Sequence, residues 1–217
     1  MHQNHKHLLD SQKSTSTKES FSRDTVLIGI FGALWGLMEI TLGLTIKGLR
    51  IPMGGAFLTA ISCVIFLTGR YFLDHRGSIF LMGAVAATIK IFSVGTVIAG
   101  PFMAILIEAS IAEILISMLG INRFSYISTS ITLSLYTIVH PFIAQGLIFG
   151  DDIYNIYLET FRMISILLNI NITYLVWIVI LYAILHIILG FMAGWFAYSL
   201  SIKVGEEIRE NSVSIGK

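Results

Sequence analysis

The sequence predicts an all-α integral membrane protein, a bundle of about six transmembrane helices with both termini cytoplasmic. Three observations predict it. Of 217 residues, 55% are hydrophobic and only 12% are charged, whereas a soluble domain carries roughly 25% charged residues. Nearly all of the charge lies at the ends of apolar runs. Lysine and arginine are also unevenly shared: with six spans, ten fall on the side that holds the termini and four on the other. Net charge is +1, so no basic field points to nucleic acid. The single cysteine, Cys63, excludes an intramolecular disulfide and sits in an apolar run, as a buried thiol does.

Residues 1–24 are polar, rich in Ser, Thr, Lys and His, and contain no apolar run of the signal-peptide kind. They are expected to form a disordered cytoplasmic tail. The transmembrane domain is expected over 25–203, followed by a second cytoplasmic tail at 204–217. Its spans are 25–46, 53–69, 77–92, 96–119, 126–149 and 173–202, the second and third being short for a bilayer. Pro52 precedes the second, and His140-Pro141 falls two thirds along the fifth. The connection 150–171 alternates polar and apolar residues and is expected to lie as an amphipathic helix on the outer membrane face. Arg70, Arg76, Arg123 and Lys203 mark the inner side. Lys47, Arg50, Lys90 and Arg162 mark the outer.

The fourth span holds two carboxylates. Gly100-Pro101 opens it, because proline suits a first helical turn. Glu108 and Glu113 follow, and each carboxylate at membrane depth costs at least ~2.5 kcal/mol on insertion scales. Five residues apart, they point about 140° away from each other. One is expected to face a cavity and the other a neighbouring helix or the cytoplasmic end.

Polar groups gather in the outer half of the bundle. Glu39, Lys90, Glu108, His140, Asn169 and Trp177 are the candidate substrate-binding residues. Lys90 is expected to pair with Glu39 or Glu108. Charged groups would orient a ligand, and Trp177 would stack on a flat ring. The same residues would equally serve as structural ion pairs and interhelical hydrogen bonds. In the first span, Gly29 with Ala33 and Gly32 with Gly36 are small residues four apart, which let another helix approach closely. That helix is either a partner subunit's or one of this chain's own. Gly190 and Gly194 in the last span are expected to pack internally.

Catalytic signatures are absent. There is no H-E-x-x-H, no G-x-S-x-G and no G-x-x-x-x-G-K-[ST] nucleotide loop. No cofactor is expected, and His2, His5 and His7 are not assigned to a metal. An intramembrane enzyme using Glu108, His140 and Glu113 and an assembly subunit without a ligand are the two alternatives to a binding protein.

Arg76-Gly77 ahead of an alanine-rich helix, the turn from Gly95 to Gly100-Pro101, and the run AILIEASIAE at 104–113 together resemble the substrate-binding S components of energy-coupling factor transporters. These are ABC-type micronutrient importers, and the pattern is nearest to the members that take up thiamine precursors. The resemblance covers 25–203. It implies a small water-soluble vitamin-like ligand at the outer face, roofed by the loops after the first and fifth spans. It further implies docking of the first helix, through Gly29, Gly32, Ala33 and Gly36, on a transmembrane T component driven by two cytoplasmic ATPases. The S component would topple in the bilayer to release its ligand inside.

Overall fold

The computed structural model describes residues 2–49, 51, 53–73, 75–92, 99–150 and 172–215, together with 155, 158, 159, 162, 163 and 166. The side chains of 2–20, 47, 99, 144–149, 172, 173, 175 and 215 fall outside that description. Six helices are present and there is no strand among the described residues: α1 His2–Gly48, α2 Gly54–Tyr71, α3 Ser78–Ile91, α4 Ala99–Leu119, α5 Arg123–Phe149 and α6 Ile172–Ile215. Four of them are long and apolar enough to cross a membrane, within α1, α2, α4 and α6, and α3 is a shorter apolar helix. The chain is a multi-pass helical membrane protein.

The helices close into a ring in the order α1, α3, α4, α5, α6, α2, and α2 also touches α3 and α5. Helix α1 shows why. Gly32, Trp35, Gly36, Glu39 and Gly43 are buried along one side, while Val26, Ile30, Leu34, Leu37 and Leu44 are exposed. Inward positions thus carry small, aromatic and ionic groups. Outward ones carry aliphatic side chains suited to hydrocarbon. The core is built on Trp35 and Phe66, whose rings lie 4.9 Å apart, with Leu67, Met82, Tyr126 and Leu133 around them.

Small residues set the closest approaches. A Cβ on Gly32 would stand 2.7 Å from the Cβ of Val85, and one on Gly36 would stand 2.9 Å from that of Ile89. Both glycines therefore seat α3 against α1. On the far side, a Cβ on Gly190 or Gly194 would come within 2.6 Å of the Cα of Ile131 or Ile127. These two glycines pack α6 on α5, the internal role expected of them.

Two helix starts are capped by side chains. Before α5, Asn122 Oδ1 accepts the Ser125 N–H at 2.9 Å while Ser125 Oγ accepts the Asn122 N–H at 3.2 Å. This reciprocal pair satisfies two donors at the first turn. At α3, Gly77 takes the left-handed conformation (φ 91°) that glycine adopts without strain. Its N–H and that of Ile79 both point at the Glu113 carboxylate, at 2.7 and 2.9 Å.

Helix bounds are wider than the spans. The helix of α1 begins at His2 and not at Thr25, and α6 continues past Ile202 to Ile215. Extending an existing helix adds a hydrogen bond per residue fixed, so polar residues prolong it cheaply. Most of the 150–171 connection lies outside the described residues.

Candidate ligand cavity

A cavity of about 600 Å³ opens at the end of the bundle where α1, α3 and α5 finish and α2 and α4 begin. Its size is that of an ordinary small-molecule site. Glu39 and Gly43 of α1 line it, with Gly55, Leu58 and Thr59 of α2 and Lys90 of α3. Helix α4 adds Gly100, Pro101, Ala104, Ile105 and Glu108, and α5 adds Thr137, His140 and Pro141. Five helices contribute, and Glu39, Lys90, Glu108 and His140 converge here.

Lys90 settles on Glu39. Its Nζ donates to the Glu39 carbonyl oxygen at 2.7 Å and stands 3.4 Å from Oε2 of the same residue. Ser62 Oγ donates to Glu39 Oε1 at 3.3 Å. The glycine at 43 makes room for this arrangement, since a Cβ there would sit 3.3 Å from Lys90 Nζ. Glu39 therefore carries a local cation, a hydroxyl donor and a packed backbone, as a carboxylate in apolar surroundings requires.

Glu108 is held differently. It is 7% exposed, and Thr59 Oγ1 donates to its Oε1 at 2.9 Å. No lysine, arginine or histidine lies within ion-pair distance of it among the described residues. His140 shares a 2.7 Å hydrogen bond between its Nδ1 and the Tyr136 hydroxyl one turn earlier. That contact fixes the ring and leaves Nε2 as its second polar atom. Pro141 is inside α5 and has no N–H to close onto the carbonyl of Thr137. The proline thus interrupts the backbone ladder at the cavity wall.

Glu113 faces away from all of this. Besides capping α3, it accepts the Ser117 hydroxyl at 2.7 Å. It lines no part of the cavity and does not join Glu108 and His140, so the three-residue acid–base arrangement is not assembled. A carboxylate at a helix start is favoured by the partial positive charge of the unpaired N–H groups.

Of the six residues expected to bind substrate, Glu39, Lys90, Glu108 and His140 line the cavity. Asn169 lies outside the described residues. Trp177, on α6, is 64% exposed and is not among the residues that line the cavity. The docking face is corrected. Gly32 and Gly36 are buried by α3, whereas Gly29 has nothing within 4 Å of a Cβ and Ala33 is half-buried. Sequence reasoning missed Thr59, Ser62, Thr137 and Tyr136. Their one signal is a hydroxyl inside an apolar span, which many membrane helices carry without function. No cluster of three metal-ligating side chains exists among the described residues.

Fold and cavity together define a multi-pass helical membrane protein with an ionic pocket at one end of its bundle. No protein-family model, curated protein or solved structure matches the chain.

Proposed function

We propose that this chain is the substrate-capture subunit of an importer of the energy-coupling factor type, a six-span protein of the cytoplasmic membrane with both termini inside. The observation that carries the reading is the cavity. A membrane bundle that keeps Glu39, Lys90, Glu108 and His140 around about 600 Å³ of open space sustains a cost that a packed apolar interior avoids. A binding site for a small polar molecule accounts for that cost, whereas an assembly subunit has no use for the space.

The placement of basic residues supports the direction of capture. Arg70, Arg76 and Arg123 lie at helix ends and turns opposite the cavity, Arg23 of α1 reaches Phe72 at that same end, and Lys203 and Arg209 fall in the second half of α6. By the positive-inside tendency that end is cytoplasmic and the cavity opens outward. Energy would come from a T component and two ATPases, since the sequence holds no nucleotide loop. Gly29 and Ala33 are the part of the small-residue pattern left to meet such a partner.

The test has two arms. Gently purified protein is extracted, and the extract is searched by mass spectrometry for a stoichiometric small molecule. Affinity-tagged protein is also isolated from its native membrane and its co-purifying subunits identified. A retained polar compound together with an ATPase-bearing complex supports the reading. Protein that retains nothing, binds none of a vitamin panel and travels alone would refute it.

A further inference from the structure

We propose that the cavity selects a small cationic ligand rich in N–H donors, such as an amine, an amidine or a protonated heterocyclic base, with Glu108 as its counter-charge. This rests on the capture reading and names the chemistry of that same site.

The argument is a count of what the wall has already spent. The Lys90 ammonium is committed to the carbonyl and carboxylate of Glu39. The Thr59 hydroxyl donates to Glu108, and the Thr137 hydroxyl donates to the Ser134 carbonyl at 2.7 Å. Tyr136 and His140 Nδ1 satisfy each other, so His140 offers Nε2 alone, as donor or acceptor according to its tautomer. The hydroxyl donors of the wall are used inside the protein. Acceptors remain. Glu108 is engaged through Oε1 only among the described residues.

Charge gives the same answer. Glu39 and Lys90 cancel each other. Glu108 is more than nine-tenths buried, lines the cavity and has no cation within reach among the described residues. A carboxylate so placed is expensive unless a positive group joins it. A ligand ammonium or amidinium supplies that group, and charge-assisted bonds of this kind are the strong ones. A carboxylate ligand would meet Glu108 head on and would gain a cation only by pulling Lys90 from Glu39.

Three probes of one shape and different charge test this: benzamidine, benzamide and benzoate, titrated by thermal shift and calorimetry against detergent-solubilised protein. Benzamidine is expected to bind, benzamide to bind more weakly and benzoate not at all. Glu108→Gln keeps an acceptor for Thr59 and should weaken benzamidine by about tenfold or more. If that variant does not fold, Glu108→Asp, which withdraws the charge by one methylene, takes its place. Glu113→Gln removes a carboxylate outside the cavity and should bind benzamidine as the wild type does. Benzoate binding as tightly as benzamidine, or benzamidine indifferent to Glu108→Gln, would overturn the charge class while leaving capture intact. If none of the probes binds, the compound extracted from the protein decides. A basic nitrogen in it upholds the class, and its lack overturns it. No compound at all, with no binding across a vitamin panel and no co-purifying complex, removes the capture reading with it.

Discussion

Lys90 on α3 reaches across to α1 and grips Glu39 twice, through the main-chain carbonyl at 2.7 Å and the carboxylate at 3.4 Å. One side chain thereby joins two helices and neutralises a charge at the cavity wall. Lys90 is thus a part of the wall whose charge is paired within the protein.

Removing one half of that pair should be worse than removing both. Lys90→Met leaves Glu39 uncompensated, and breaking a buried pair costs on the order of 3 kcal/mol. Glu39→Gln with Lys90→Met should recover most of the loss. Thermal unfolding in detergent reads this directly. Equal destabilisation by the single and double variants would show that the pair is not what holds Glu39.

Glu113 is expected to act on stability alone. Glu113→Ala removes the acceptor for the Gly77 and Ile79 N–H groups and should cost roughly 1 kcal/mol, the usual price of losing a helix cap. Glu113→Gln retains one acceptor oxygen and should cost less. Ligand affinity should be unchanged in both, because Glu113 is not part of the cavity. A loss of affinity with stability preserved would return Glu113 to the site.

The small residues of α1 should divide cleanly. Gly36→Val drives a side chain into Ile89 and the backbone of Ala86 and should lower the unfolding temperature. Gly29→Val meets open space and should leave the isolated protein as stable as wild type. If α1 docks on a partner through Gly29, the same change should reduce the yield of the intact complex from native membranes. Size-exclusion profiles of the isolated protein and of the complex separate the two effects.

Several of these relationships are legible in the sequence. Six apolar runs announced the helices, and the rotation between Glu108 and Glu113 announced that they would serve different surroundings. The pairing of Lys90 was narrowed to two carboxylates because an ion in hydrocarbon needs a partner. Other relationships were hidden because they depend on who sits opposite. A glycine pair declares a close approach but not the neighbour, so for Gly32 and Gly36 the sequence leaves a partner subunit and a helix of this chain both open, and α3 is what fills the face. Glu113 meets Gly77 and Ile79 from more than thirty positions away, and nothing local marks that contact. Trp177 is not in the wall because the start of α6 is exposed on every face, which an apolar helix sequence does not reveal. Thr59 and Thr137 carried no signal beyond a hydroxyl in an apolar span.

Ala104 offers the most direct test of the central claim, that the cavity holds a small molecule. It lines the wall, and phenylalanine there would project into the open space. Mass spectrometry of extracts from wild-type and Ala104→Phe protein, matched for folded yield, compares the two. A small polar compound near one equivalent in the wild type, and lost in the filled variant, is the expected result. The same compound retained by both proteins, or none from either together with no binding across a vitamin panel, would contradict it.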